Sequence, residues 1–291
     1  MLSRPFKSLR DHLRYLPLWS ALTASRWRVF DVRAHALGRA IGAILRWFPP
    51  ARRRADREIR HVFPDMARKD RSILARNMGR NMGQTLFEIY HSTEFQTRQD
   101  KFIPSGPGLD ALIAARAAGK GAIIVSGHFG QWEAVRAVLK ARGMETGAVY
   151  RPQTNRHYQR RLLAGIKANG QPILETGFIG TKALVRHLRS GGFIAILLDE
   201  KYAEGERMPF LGRPALTSLA AANLAMKFNI PMVPAYGTRF GDHGEIAVDF
   251  EAPIEHTDEV TMTQAFNDSL SARVHGNPEQ WYWMLRRWKG A

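Results

Sequence analysis

The sequence predicts an α/β protein with a mainly parallel central sheet flanked by helices, preceded by a helical N-terminal region. Two observations lead to this prediction. From residue 122 onwards, short apolar runs alternate with stretches whose apolar residues recur at helical spacing, which is typical of parallel strands joined by helices. The 291 residues are also 45% hydrophobic and 24% charged, so the chain can bury a sizeable core.

Residues 1–54 are predicted to form a basic amphipathic region that associates with a membrane surface. Trp19, Trp27 and Trp47 lie among arginines, and this combination suits a helix in the lipid headgroup layer. The helical spacing of Leu37 and Leu45 fits an ordinary helix packed on the core equally well. Both interpretations stay open at this stage.

A membrane span is not expected, because arginines interrupt the N-terminal region and no apolar run approaches about 20 residues. The N-terminus also lacks the continuous apolar stretch and small-residue cleavage site of a signal peptide. We therefore expect the protein to remain on the side of the membrane where it is synthesised.

The elements of the remaining chain, residues 55–291, are read from periodicity and from Gly and Pro positions. Helices are predicted over 55–95, 109–118, 130–139, 156–168 and 182–189, from a cap at Thr217 to 226, and from 263 onwards. Strands are predicted at 122–125, 147–150, 173–175, 193–198, 232–236 and 246–250, the last antiparallel to its predecessor. Residues 104–108 and 201–214 are predicted to be loops.

Charge and cysteine content limit the possible functions. The chain has 43 Lys and Arg against 26 Asp and Glu, a net charge of +17, which predicts an anionic partner. It has no cysteine, so disulfides and thiolate metal sites are excluded, and its histidines lack the close pairs of a zinc helix. A nucleic-acid-binding protein remains an alternative, although the basic residues are dispersed and no helix-turn-helix or RNP-like motif is visible.

The turn after the first strong strand contains the first candidate catalytic residue, His128. Glu133 follows in the first turns of the next helix, from where its carboxylate can reach back to the imidazole. A carboxylate that binds one ring nitrogen fixes the tautomer and makes the other nitrogen more basic, as a general base requires. A turn histidine and a solvated glutamate are the alternative interpretation of these two residues.

His128, Arg151 and Asp199 each follow the C-terminal end of a predicted strand, so a parallel sheet brings them to one crevice. A base with its carboxylate and an arginine suited to phosphate indicate group transfer to a hydroxyl of an anionic acceptor. No nucleophile is evident, since Ser126 lacks the flanking pattern of a nucleophile elbow. Direct attack, with His128 taking the proton of the acceptor hydroxyl, is the simplest mechanism.

Four blocks of the chain resemble a known family. His128-Phe-Gly-Gln-Trp-Glu133 looks like the H-x4-[D/E] signature of glycerolipid-type acyltransferases. The other blocks resemble those of the lipid A biosynthesis lauroyl/myristoyl acyltransferases: Val149-Tyr150-Arg151-Pro152 with Asn155, Leu198-Asp199 with the later Pro209-Phe210-Leu211-Gly212 and Thr217, and Asn277-Pro278-Glu279-Gln280-Trp281 with Arg286-Arg287-Trp288-Lys289. The four blocks occur in the family order, from about residue 57 to the end.

The resemblance implies an acyltransferase domain of the glycerolipid-acyltransferase type over residues 55–291. The implied reaction moves a fatty acyl chain from an acyl-carrier-protein thioester to a hydroxyl of a lipid A precursor, at the cytoplasmic face of a Gram-negative inner membrane. The carrier protein, the lipid A phosphates and the inner leaflet are all anionic, in agreement with the charge of the chain. No metal and no cofactor other than acyl carrier protein as co-substrate is implied.

The resemblance also assigns roles to single residues. His128 would be the base and Glu133 its partner, while Arg151 would anchor the substrate and Asp199 would add a carboxylate to the substrate site. The thioester carbonyl needs an oxyanion stabiliser, for which we expect backbone N–H groups around Gly130 at the start of the helix.

The chain departs from the family pattern in two places. Leu285 stands where the family has a histidine, and arginines break the apolar N-terminal span of many relatives, so peripheral membrane association is expected. Arg286 and Arg287 are predicted to form a solvated basic face, with a docking patch for the acyl donor as the alternative. A lysophospholipid, glycolipid or ornithine lipid as acceptor, and a non-catalytic membrane-surface module, remain alternative functions.

Overall fold

The computed structural model describes residues 11, 15–17, 19–20, 23, 27–241 and 244–290. The strands are β1 (Phe102–Ser105), β2 (Ala122–Ser126), β3 (Thr146–Tyr150), β4 (Ile173–Glu175), β5 (Phe193–Leu197), β6 (Glu206–Phe210), β7 (Arg213–Thr217), β8 (Met232–Phe240) and β9 (Glu245–Phe250). The helices of ranges 27–241 and 244–290 are α1 (Phe30–Trp47), α2 (Pro49–Val62), α3 (Arg68–Tyr90), α4 (Ser92–Gln96), α5 (Pro107–Ala117), α6 (Glu133–Ala141), α7 (Arg156–Asn169), α8 (Phe178–Arg189), α9 (Ala220–Phe228) and α10 (Glu259–Gly276).

Seven strands form one sheet in the order β1-β9-β8-β2-β5-β3-β4, and helices flank it. Neighbouring strands run parallel except β8 and β9, which are antiparallel as predicted. The α/β class and the mainly parallel sheet are therefore confirmed.

The central strand β2 is buried along its whole length, because helices cover both faces of the sheet. Successive side chains point to opposite faces, so Ile123 and Val125 pack in one apolar cluster and Ile124 packs in another. This two-sided burial explains why β2 reads as a continuous apolar run rather than an alternating one.

The N-terminal helix α1 packs closely on α3 through glycines of both helices. A Cβ on Gly83 would lie 2.8 Å from the Cα of Gly38, and a Cβ on Gly79 would lie 3.0 Å from the Cα of Gly42. Small residues thus let the two backbones approach, while Leu37 and Leu45 are buried.

Other apolar residues at and beside α1 stay on the surface, among them Trp27, Val29, Ile44, Trp47 and Phe48. Residues 1–10, 12–14, 18, 21–22 and 24–26 of the predicted membrane-associating region lie outside the described residues. No helix within the described ranges is both long and apolar enough to cross a bilayer. The division of the chain at residue 54 and the membrane role of residues 1–54 remain predictions.

Several elements differ from the prediction. The expected loop at 201–214 contains most of a hairpin, β6–β7, whose turn places Leu211 and Gly212 at positive φ. A leucine rarely adopts this conformation, so the sequence lacks the usual turn signal. Thr217 ends β7 and is not a helix cap, since α9 begins at Ala220.

Several other predicted boundaries were wrong. β8 extends to Phe240, α8 begins at Phe178 instead of residue 182, and α10 begins at Glu259 instead of residue 263. Strand β1 occupies part of the expected loop at 104–108, and α6 begins at Glu133 instead of Gly130.

The predicted solvated face at Arg286 and Arg287 was wrong for Arg287, which is fully buried. Its guanidinium donates to the carbonyl of Leu216 and to the hydroxyl of Thr217, and it stacks over Phe210. Burial lowers the pKa of Arg287 to about 10. This arginine therefore attaches the C-terminal segment to the hairpin.

Candidate active site

Strand register brings His128 and Asp199 together. β2 and β5 are parallel neighbours in which Ser126 pairs with Leu197, and each candidate residue follows its strand by two positions. The Nδ1 atom of His128 lies 2.8 Å from Oδ1 of Asp199. The backbone N–H of His128 donates to Oδ2 of the same carboxylate at 2.7 Å. Asp199 thus fixes both the ring and the backbone of His128.

The indole of Trp281 completes the contacts of Asp199. Its Nε1 donates to Oδ2 at 2.9 Å, so this oxygen accepts two hydrogen bonds, and among the described residues Oδ1 faces only the imidazole. Trp281 is itself fully buried and forms an isolated β-bridge with Phe129. The C-terminal segment therefore packs against the carboxylate that holds His128.

The electrostatics of the pair favour an imidazole that can hold a proton. Burial by itself lowers the pKa of His128, but the charge of Asp199 and the hydrogen bond to it outweigh burial and raise the pKa above its usual value. Burial raises the pKa of Asp199, but the opposite influence of His128 and Trp281 leaves it below its usual value. Asp199 is thus a carboxylate, and its acceptor oxygen places the proton of neutral His128 on Nδ1.

The other ring nitrogen, Nε2, is the one available for chemistry. The His128 side chain is 20% exposed and forms part of a cavity wall, whereas the side chain of Asp199 is completely buried. No described residue forms a hydrogen bond with Nε2. An imidazole held at Nδ1 and open at Nε2 is the arrangement of a general base.

The predicted contact between Glu133 and His128 was wrong. Glu133 is buried, and its Oε2 accepts hydrogen bonds from Arg136 and Asn169, both at 2.8 Å. Arg136 also donates to the carbonyls of Thr146 and Gly170. A buried guanidinium needs a buried anion, so Glu133 is used to neutralise Arg136, and Asp199 takes the place beside the imidazole.

The predicted oxyanion role of the N–H of Gly130 was also wrong, because this group donates to the carbonyl of Gln280 at 2.8 Å. The carbonyl of Gly130 accepts from Thr85, and a Cβ at this position would lie 2.0 Å from the carbonyl oxygen of Gly237. A glycine with φ +54° is required here for close backbone approach.

A buried polar network holds the loop that carries His128. Arg239 forms a bidentate ion pair with Glu88, and the carboxylate of Glu88 also accepts a hydrogen bond from the side chain of Gln131. The backbone N–H of Gln131 donates to the carbonyl of Gly237 at 2.7 Å. α3, β8 and the loop are therefore joined beside the imidazole.

A cavity of about 470 Å³ lies next to His128, between the sheet and helices α3, α6 and α7. Its inner wall is mostly apolar and includes Leu86, Ile89, Ile124, Val135, Ala148 and Leu162. Its polar residues include Tyr150, Arg151, Thr176 and Glu200. The cavity can accept a long apolar chain with a polar group beside the imidazole.

Arg151 lies at the cavity mouth, as its position after β3 predicted. Its side chain is 67% exposed, and its guanidinium is 3.3 Å from the carboxylate of Glu200. An exposed ion pair of this kind is weak, so Arg151 can exchange Glu200 for an anionic ligand.

Ser126 and Glu200 line the cavity, although neither of them was predicted from the sequence as a residue of the site. The Ser126 hydroxyl is buried and has no hydrogen-bond partner among the described residues. The hydrogen bond between Trp281 and Asp199 has no local sequence signal, because 82 positions separate the two residues. Within the described ranges, no group of three or more His, Asp or Glu side chains is placed to hold a metal ion.

Comparison with known proteins agrees with this geometry. A lipid A biosynthesis acyltransferase of Haemophilus influenzae is 24% identical over 252 residues, which cover 81% of this chain and 74% of the relative. A phosphatidylinositol mannoside acyltransferase of Mycobacterium tuberculosis is 24% identical over 196 residues, which cover 62% of this chain and 58% of the relative. The family described as bacterial lipid A biosynthesis acyltransferase matches residues 4–290. The chain belongs to this family of acyltransferases.

Proposed function

We propose that the protein transfers a fatty acyl chain from the thioester of acyl carrier protein to a hydroxyl group of a lipid A precursor. The observation that supports this most directly is the His128–Asp199 pair at the mouth of an apolar cavity. The pair supplies a base, and the cavity accommodates the chain that is transferred.

In the proposed reaction, Nε2 of His128 takes the proton of the acceptor hydroxyl while the oxygen attacks the thioester carbonyl carbon. A carbon–oxygen bond forms and the carbon–sulfur bond breaks. The proton then passes from His128 to the departing thiolate, so the imidazole returns to its neutral form. Asp199 stabilises the imidazolium between these two transfers through its bond to Nδ1.

The thioester oxygen carries negative charge during attack and needs a hydrogen-bond donor. The N–H groups of His128, Phe129, Gly130 and Gln131 all donate within the protein. Ser126 lines the cavity, and its buried hydroxyl has no hydrogen-bond partner among the described residues. We assign the oxyanion contact to this hydroxyl.

An anionic donor and an anionic surface fit the charge of the chain. Arg57, Arg60, His61 and Arg213 line a shallow cleft, together with Asp56. Helix α2, which carries Arg57, Arg60 and His61, also contacts the C-terminal segment beside the cavity. Arg54 on this helix donates to the carbonyl of Met284, and the next residue, Leu285, lines the cavity. We place acyl carrier protein on this basic surface and the protein at the cytoplasmic face of the inner membrane.

A second acceptor class is favoured by the mycobacterial relative, which is a phosphatidylinositol mannoside acyltransferase. A phosphorylated glycolipid other than a lipid A precursor would present the same hydroxyl and anionic groups to His128 and Arg151.

The test combines lipid analysis with a purified enzyme. Mass spectrometry of total lipids from cells with and without the gene product identifies the acceptor by a mass difference of one acyl chain. Acyl transfer by purified protein is then compared for wild type, His128→Ala and His256→Ala, the last an exposed histidine outside the cavity wall. We expect only His128→Ala to abolish transfer. Turnover of His128→Ala at the wild-type rate would refute the role of the imidazole, and an unchanged lipid profile would refute the acceptor.

A further inference from the structure

Strand β4 is the last strand at one side of the sheet, and helix α8 follows it in the chain. Among the described residues, the most exposed pair of adjacent apolar side chains lies at the start of this helix. Phe178 and Ile179, at the start of α8, are 75% and 84% exposed. Single exposed apolar residues are common, but two adjacent large ones leave a continuous apolar tip in water.

The exposed face of α8 is basic beyond this tip. Lys182, Arg186 and Arg189 are exposed, and their spacing from Phe178 (four, eight and eleven residues) places them on its face of the helix. The ammonium of Lys182 lies 4.3 Å from the centre of the Phe178 ring. The opposite face is formed by buried residues such as Leu184 and Leu188. The helix contains no acidic residue.

The apolar tip adjoins the cavity mouth. Strands β5, β3 and β4 are parallel neighbours, so the residues that follow them lie along one edge of the sheet. Glu200, Arg151 and Thr176 follow these three strands and all contribute to the cavity wall. Thr176 precedes Phe178 by only two residues.

We propose that Phe178 and Ile179 insert into the surface of an anionic bilayer and seat the cavity mouth on the lipid. An apolar tip with cations along the same helix face is the pattern of an interfacial helix, with rings among the acyl chains and cations at the phosphates. Docking by this surface stands independently of the proposed function. The delivery of a lipid acceptor to His128 along it rests on that function.

The absence of cysteine permits a direct test with the full chain. A single Ile179→Cys variant is labelled with an environment-sensitive fluorophore and mixed with vesicles of phosphatidylglycerol or phosphatidylcholine. The matched control is Ile103→Cys on β1, a 51% exposed isoleucine at the other edge of the sheet. We expect a blue shift and quenching by brominated phosphatidylglycerol for the label at 179 and neither for the label at 103. Labels that remain in water at both positions would overturn the proposal.

Binding measurements separate the two parts of the surface. Phe178→Ser combined with Ile179→Ser should lower the partition coefficient at least about 10-fold, whereas Ile103→Ser should leave it within about twofold. Lys182→Gln should weaken binding to the anionic vesicles roughly fivefold in low salt and leave binding to neutral vesicles unchanged. Equal partition of the double serine variant and wild type would refute the role of the apolar pair.

Turnover distinguishes a lipid from a protein partner. With a detergent-dispersed acceptor, the double serine variant should keep the wild-type rate within about twofold. A raised KM for the protein-bound donor with unchanged vesicle binding would assign this face to the carrier protein and overturn the proposal. If wild type transfers no acyl chain to any acceptor, the proposed function fails, while the label at position 179 still decides the docking surface.

Discussion

Asp199→Asn is the substitution that tests the site most directly, because the structure determines how the amide must sit. Oδ2 accepts from the His128 backbone at 2.7 Å and from Trp281 at 2.9 Å, whereas Oδ1 contacts only the imidazole within the described part of the chain. The amide oxygen will keep the two donors. The reverse orientation would leave both buried N–H groups unsatisfied, at about 1–3 kcal/mol each or roughly 2–6 kcal/mol together.

This orientation turns the amide NH₂ toward Nδ1 of His128. Nδ1 must then accept a hydrogen bond, so the ring proton moves to Nε2, and the nitrogen that faces the cavity is no longer a base. We expect turnover to fall about 10³–10⁴-fold, which is a rise of roughly 4–5.5 kcal/mol in the activation barrier, with little change in the melting temperature.

The assay follows release of the carrier-protein thiol with a chromogenic reagent, to which the enzyme contributes no signal because it has no cysteine. Asp268→Asn, an exposed carboxylate on α10, is the matched control and should retain the wild-type rate. If Asp199→Asn keeps its fold and turns over within about 10-fold of wild type, Asp199 does not set the tautomer and the reasoning fails.

Three further predictions follow from the contacts in the site. In a profile of kcat/KM against pH, the midpoint of the acid limb should lie above the usual pKa of histidine, since only neutral His128 is a base. Glu200→Gln should move this midpoint to lower pH, because the negative charge of Glu200 raises the pKa of His128. A limb that does not move in a pH–rate profile would contradict the placement of Glu200. Glu133→Gln should lower the free energy of unfolding in urea by about 3 kcal/mol, since Arg136 loses its buried anion, without moving the acid limb. A Glu133→Gln variant that unfolds like the wild type but has a shifted acid limb would show that Glu133 acts on the imidazole. Ser126→Ala should lower kcat about 10²-fold and leave the melting temperature equal or higher, because it removes a buried hydroxyl without a described partner. Parallel loss of rate and stability would make Ser126 a structural residue.

Local sequence pattern was sufficient for the main elements of the fold. The apolar runs at β2, β3, β5 and β8 could be recognised because strands covered on both faces need continuous apolar residues. β4 and β9 could be recognised as short apolar runs, although β4 is only partly buried and β9 alternates between buried and half-buried residues. The hairpin β6–β7 could not be recognised, since its turn uses Leu211 at positive φ. β1 was missed because its four residues include a proline, which usually indicates a loop.

The sequence by itself determined which residues reach the active-site edge. His128, Arg151 and Asp199 each follow a strand, and parallel strands end together whatever their order. Only the tertiary structure decided which carboxylate serves the imidazole. The pairing of β2 with β5 joins positions 71 residues apart, and Trp281 joins from the C-terminal segment. Glu133 is nearer in sequence but is held by Arg136 and Asn169, because a buried charge goes to the partner that the packing supplies.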